Sequence, residues 1–153
     1  MNICIIMVSG LIATLAMTLF MGLIHGLGLA NADMVRAIGS LYTRSYENSF
    51  WPGVFIKFTG GAIFSIFYAI LAGIAPIQTP AAIILMMTVF GLFHGLAVSI
   101  MMVVSVAEYH PLEQFRKAGL SVMVSHLAGH IVYGFFLGLF FAISNVDLKL
   151  ISL

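Results

Sequence analysis

The chain has 153 residues, of which 62% are hydrophobic and only 7% are charged, and its mean hydropathy is +1.16. A soluble domain carries about 25% charged residues, and a chain of this length cannot hide so much apolar surface from water, so the composition predicts an integral membrane protein. A net charge of +1 without a basic cluster excludes nucleic acid as a partner, and the single cysteine, Cys4, excludes an intramolecular disulfide.

Four apolar segments are long enough to cross a bilayer, which requires about 20 residues. They are expected at about residues 3–29, 53–74, 81–106 and 119–144. The sequence therefore predicts an all-α fold, with residues 1–153 forming a single transmembrane domain. We expect an antiparallel four-helix bundle with both termini on the same side. The first segment lacks a basic stretch and a clear cleavage site, so we expect it to be retained as a helix.

The loops between these segments predict an orientation. The basic residues are Arg36, Arg44, Lys57, Arg116 and Lys117 on one side and Lys149 on the other. Five basic residues on the first side and one on the other predict that the charged loops are cytoplasmic and the termini external in a bacterial inner membrane. In the first loop, Asp33 is expected to cap a short interfacial helix that runs through Ile38 and is ended by Gly39.

An octapeptide occurs twice within the apolar segments. The sequence MGLIHGLG at residues 21–28 recurs as FGLFHGLA at residues 90–97, and each copy encloses a histidine between two glycines. Small residues spaced four apart let helix backbones approach closely. Helix contacts are therefore predicted at Gly22, Gly26, Gly91, Gly95, Gly129 and Gly134.

Two histidines are expected near the middle of the membrane. His94 and His130 each lie roughly a dozen residues from the start of their segments, which run antiparallel. Opposed imidazoles flanked by glycine are typical of the axial ligands of a b-type haem. The alternative is an interhelical hydrogen bond from each ring, which stabilises by about 1 kcal/mol or less.

A second pattern suggests a metal. Met17, Met21 and His25 recur every four residues, and thioether and imidazole ligands suit copper. His126 and His130 are one helical turn apart and can bind a metal together. The alternative interpretation is two core methionines and hydrogen-bonded histidines.

Titratable residues are also expected to meet at the side of the charged loops. The candidates, for divalent metal binding or for a proton relay, are His25, Asp33, Glu108, His110, Glu113 and His126. The alternative is a solvated, capped loop, with a turn at His110 and a short polar helix after it.

The pattern resembles a group of small four-helix bacterial membrane proteins described only as a domain of unknown function. The resemblance is carried by GLIATLAMT at residues 10–18, GLFHG at 91–95, the His110-Pro111 pair and GHIVYG at 129–134. In the resembling proteins a histidine often lies near the start of the second helix, where this chain has Lys57. The resemblance implies a four-helix multipass fold and no particular activity.

Three functions remain open. The first is an accessory or structural subunit of a larger membrane complex, such as an energy-transducing one. The second is a haem- or copper-binding redox protein. The third is a small oligomeric transporter or proton-relay protein. No hydrolytic or nucleotide-binding motif occurs, so we expect no catalytic activity of its own. The expected partners are the lipid bilayer and either other membrane subunits or further copies of this chain.

Overall fold

The computed structural model describes residues 2–75 and 79–144, and in that part of the chain it contains only helices, turns and loops. The helices are α1 (Ile3–Gly26), α2 (Met34–Thr43), α3 (Phe50–Gly73), α4 (Pro80–Met101), α5 (Ala107–Tyr109), α6 (Glu113–Arg116) and α7 (Leu120–Ile143). A 3-10 turn (Glu47–Ser49) precedes α3, and a π-helical turn (Met102–Val106) follows α4.

The predicted all-α fold with four spans is confirmed. The helical stretches Ile3–Gly26, Glu47–Gly73, Pro80–Val104 and Leu120–Ile143 are each long and apolar enough to cross a membrane, which is compatible with a multipass membrane protein. The third span begins as predicted, whereas α3 begins at Phe50, because Pro52 is tolerated in the first turn of a helix. Lys149, part of the orientation argument, lies outside the described residues.

The interfacial helix α2 differs in length from the prediction. Asp33 does cap it, since its Oδ1 accepts a hydrogen bond from the backbone N–H of Arg36 at 3.2 Å. The helix does not end at Gly39 but continues to Thr43, and Arg44 follows in the left-handed region. Gly39 instead lies against the backbone of Ser49, where a Cβ would collide. A glycine expected to end a helix thus allows α2 to pack closely on the start of α3.

The four long helices are unevenly packed. The most extensive contact is between α4 and α7, and α1 packs against both α7 and α3. The backbones of α3 and α4 stay apart, and these two helices meet mainly through side chains. The order around the bundle is therefore α3, α1, α7, α4, with a lateral opening between α3 and α4. The end that carries residues 27–49 and 107–119 is called the loop side below.

Four of the six predicted packing glycines lie at close helix contacts. A Cβ on Gly91 would collide with the carbonyl oxygen of His130, and one on Gly134 with that of Met87. A Cβ on Gly95 would lie 2.6 Å from the Cβ of His130. Gly129 faces α1 in the same way, since a Cβ there would lie 2.9 Å from the sulfur of Met21. The α4–α7 contact is therefore a backbone-to-backbone approach.

The prediction is wrong within this chain for Gly22 and Gly26. Both are exposed, and a Cβ on either would meet no atom within 4 Å. The reason is helical geometry: each step of four residues rotates around a helix by about 40°. On α1, Gly10 does pack against Ser65 of α3. Gly22 lies three such steps further along, so it has rotated by about 120° and faces away from the bundle.

This difference gives a paired test. Gly91→Ala should lower the free energy of unfolding by about 1–3 kcal/mol, because the methyl group must displace the backbone of α7. Gly22→Ala should be neutral or slightly stabilising, because alanine favours a helix over glycine. Thermal unfolding in detergent measures both, and equal losses in the two variants would contradict the described packing.

Candidate functional site

A cavity of about 280 Å³, called the inner cavity, lies among α1, α2, α3, α4 and α7. Most of its lining is apolar. The polar side chains that line it are Thr14, Lys57, His94, His126, His130 and Tyr133. Such a mixture of an apolar wall with a few convergent polar groups is typical of ligand sites.

Three imidazoles follow one another along the inner cavity. His126 and His130 lie one turn apart on α7, as their spacing predicts, with ring centres 5.1 Å apart. The ring of His94 on α4 lies 4.6 Å from that of His130. The hydroxyl of Tyr68 then lies 3.0 Å from Nδ1 of His94. The close approach of α4 to α7 at Gly95 makes this sequence of rings continuous.

Two of these rings lack hydrogen-bond partners among the described residues. Nδ1 of His126 and Nδ1 of His130 are both buried and unpaired. His126 is only 5% exposed, so bulk water does not surround its ring. An unpaired buried polar atom costs about 1–3 kcal/mol. Both rings line the inner cavity, but the two unpaired Nδ1 atoms are themselves shielded from it.

Lys57 places an ammonium group well below the loop-side end of α3. It lies seven residues after Phe50, which is about 10 Å along the helix. The ion pairs of the described residues, Arg36–Asp33 at 3.8 Å and Lys117–Glu113 at 3.2 Å, do not include it. Charged residues within transmembrane segments are costly and by default indicate a functional site.

Lys57 also lines a second cavity of about 260 Å³, called the vestibule, at the loop side. Here His25, Asp33 and Arg36 supply the polar groups. The hydroxyl of Tyr46 donates to Oδ2 of Asp33 at 3.1 Å. Partial burial, together with this hydrogen bond, raises the pKa of Tyr46, which keeps the phenol a donor. Lys57 thus stands between the vestibule and the inner cavity.

Among residues 2–75 and 79–144, the core at the opposite end of the bundle is apolar. Beyond Tyr68 the buried side chains, called the apolar plug below, are Ile6, Ala72, Ile83, Leu137 and Phe141. All five are at most 7% exposed. The polar groups of the two cavities therefore extend from the loop side into the membrane and stop short of the other surface.

His110, a candidate for the loop-side cluster, has a structural role instead. The backbone N–H of Leu112 donates to its Nδ1 at 3.1 Å, so Nε2 carries the proton and donates to the carbonyl of Ala37 at 3.0 Å. The amide of Asn31 also donates to the carbonyl of Gln114 at 3.0 Å. These contacts hold the loop between α4 and α7 against α2.

The predicted loop-side cluster forms only in part. His25 and Asp33 do share the vestibule. Glu108 is exposed, and Glu113 forms its ion pair with Lys117. His126 lies deeper, in the inner cavity. The loop from His110 onwards matches the alternative of a turn followed by a short polar helix.

The proposed haem ligands meet, but their separation does not fit a haem between them. Imidazole–metal bonds of about 2 Å on opposite faces of a porphyrin hold the ring centres more than about 6 Å apart. The rings of His94 and His130 are 4.6 Å apart, which leaves no room for the macrocycle. His94 pairs instead with Tyr68, as in the interhelical hydrogen-bond alternative.

The predicted metal ligands are divided between different surroundings. Met17 lines the inner cavity beside His126 and His130, Met21 packs against Gly129, and His25 is exposed at the vestibule. Within residues 2–75 and 79–144, no three His, Cys, Asp or Glu side chains form a group able to hold a metal ion. Met17, Met21 and His25 do not form one metal site, because Met17 faces the inner cavity and His25 faces the vestibule.

Three residues of the site were not among the predicted ones. In the prediction, Lys57 was grouped with the basic residues of the loops. Its position within an apolar span indicates instead a side chain inside the membrane. Tyr68 carries no pattern that distinguishes it from other aromatic residues of a span, and Tyr133 stood out only as part of the GHIVYG segment. The hydroxyl of Tyr133 donates to the carbonyl of Gly61 at 2.7 Å and so ties α7 to α3 beside the cavity.

No protein-family model matches the chain, and neither a curated protein nor a solved structure matches it. The resemblance to a small four-helix family of unknown function therefore stays a prediction.

The two kinds of buried histidine should respond oppositely to substitution. His110→Ala should lower the free energy of unfolding by about 1–3 kcal/mol, because it leaves buried backbone groups unpaired. His126→Leu should leave stability unchanged or raise it, because it removes an unpaired polar atom and keeps the side-chain volume. Thermal unfolding in detergent compares the two, and a large loss in His126→Leu would show that this ring has a partner in the fold.

Proposed function

We propose that this protein relays protons between water at the loop side and a site inside the bilayer, as a subunit of a larger membrane complex. The observation that carries the proposal is the series of titratable groups from the vestibule through Lys57 to the three imidazoles. Tyr68 ends the series on the far side. A purely structural subunit would not need these groups, which are expensive to bury in a membrane.

Imidazole is suited to this task because it can accept a proton at one nitrogen and release one from the other. Neighbouring ring centres at 4.6 and 5.1 Å are close enough for direct transfer or for one bridging water. The inner cavity has room and polar partners for such water. Rotation of either ring would turn its buried, unpaired Nδ1 towards the inner cavity, where it can take part in transfer.

The apolar plug determines where the protons can go. Because it closes the far end of the bundle, a proton that enters from the vestibule has no further polar route within the part of the chain that the structure describes. The acceptor must lie at the inner cavity or at the lateral opening between α3 and α4. This favours a subunit that supplies protons to a neighbouring reaction over an independent proton channel.

Hydrogen–deuterium exchange of the imidazoles tests the relay. In proteoliposomes containing ¹⁵N-labelled histidine and transferred to D₂O, the N–H signals of His126 and His130 should disappear quickly. Lys57→Met should slow this exchange by about tenfold, which corresponds to about 1.4 kcal/mol in the barrier. Solid-state NMR measures the rates, and signals are assigned with single histidine variants.

Two controls accompany this measurement. Lys117→Met removes an exposed lysine and should leave the exchange unchanged. Sealed proteoliposomes should show no proton leak above that of the lipid, because of the apolar plug. Persistence of the His126 and His130 signals in the unmodified protein would refute the relay. A fast proton leak would refute the conclusion that the apolar plug closes the far end of the bundle.

A further inference from the structure

A third cavity lies between α3 and α4, in the lateral opening of the bundle. It has a volume of about 340 Å³ and is called the aromatic crevice. Its lining includes Phe64, Phe67, Tyr68, Phe90, Phe93 and His94. Phe67 is 55% and Phe93 65% exposed, so both rings face the hydrocarbon of the bilayer. A membrane-soluble molecule can enter the crevice without passing through water.

The aromatic crevice and the inner cavity share two side chains. Phe64 and His94 line both, and their ring centres are 4.4 Å apart. They form the boundary between a lipid-facing space and the imidazole series. A molecule in the crevice therefore lies beside the last imidazole of the proposed relay.

His94 can offer a hydrogen-bond donor at this boundary. The one partner of the Tyr68 hydroxyl within the described chain is Nδ1 of His94, at 3.0 Å. When the hydroxyl donates, Nδ1 accepts and Nε2 carries the proton. No hydrogen bond to Nε2 is formed by the described residues, so this N–H remains for an acceptor atom of a ligand.

The lining also indicates the charge of that ligand. Among the described residues no charged side chain lines the crevice. Lys57 belongs to the inner cavity and lies seven residues from Phe64, about 10 Å along α3. An anionic head group would therefore lose its hydration without gaining a partner. A flat neutral ring, in contrast, can pack against several aromatic faces and edges.

We propose that the aromatic crevice binds a neutral, membrane-soluble ring compound of the quinone class, with one carbonyl oxygen accepting a hydrogen bond from His94. The inference rests on the proposed function in one respect, since the bound ring would lie where the relay delivers protons. Binding itself needs neither the relay nor any electron transfer.

Fluorescence quenching by decylubiquinone tests the proposal with the full chain in lipid nanodiscs. The single tryptophan, Trp51, is first replaced in a Trp51→Phe background. Phe93→Trp then places a fluorophore in the crevice, and Phe135→Trp places a matched one on an exposed position of α7 that lines none of the three cavities. We expect saturable quenching in the Phe93→Trp variant and a linear, collisional dependence on quinone in the Phe135→Trp variant.

Adding His94→Leu to the Phe93→Trp variant should weaken the saturable binding by about tenfold, as expected for the loss of one hydrogen bond. Palmitate, an anionic amphiphile, should not displace the quinone. Linear quenching in both tryptophan variants would overturn the proposal. Displacement by palmitate would overturn it in favour of a fatty-acid site, and unchanged binding in His94→Leu would overturn the role of His94.

The imidazole exchange experiment separates this inference from the proposed function. Rapid exchange at His126 and His130 without saturable quinone binding would refute the ligand and leave the relay standing. Saturable quinone binding without exchange would leave the ligand site and refute the relay.

Discussion

The architecture depends on the close approach of two helix backbones. Where Gly91 meets the carbonyl of His130 and Gly134 meets that of Met87, α4 and α7 come together without intervening side chains. This contact pulls α4 towards α7 and away from α3, so the bundle is left open on one side. It also brings the ring of His94 beside that of His130. One packing constraint therefore creates both the imidazole series and its access to lipid.

Stability and chemistry are divided between different histidines. His110 uses both ring nitrogens to hold a loop against α2, and its burial is fully compensated. Nδ1 of His126 and Nδ1 of His130 are buried without a hydrogen-bond partner among the described residues. A protein selected only for a stable bundle would place leucine there. The imidazoles at these positions are therefore best explained by a ligand, by water or by proton transfer. Residues that serve function commonly make a protein less stable than the best-packing alternative would.

Much of the fold followed from the sequence because hydrophobic length alone defines a membrane span. The four helices, the Asp33 cap and the contacts at Gly91 and Gly134 are predictable from short-range patterns. The exposure of Gly22 was not predictable in this way, because packing with α3 and α7 decides which side of α1 faces the bundle.

The candidate site was predictable only in its histidines. Their spacing placed His126 and His130 on one face, and depth placed His94 near His130. The distance between the rings, which decides between a haem and a hydrogen-bonded series, depends on how far two glycine-lined helices approach. The position of Lys57 within an apolar span is a signal that the sequence carries. The inclusion of Tyr68, in contrast, depends on how α3 lies beside α4, since Tyr68 belongs to no periodic polar pattern.

The apolar plug has an electrical consequence. A transmembrane voltage falls across the insulating part of a membrane, and a charge that crosses 100 mV gains or loses about 2.3 kcal/mol. When water fills the vestibule and the inner cavity, the insulating layer within this protein is reduced to the plug. The imidazoles then lie close to the potential of the loop-side solution. Their proton occupancy would follow the pH of that compartment and be nearly independent of the membrane voltage.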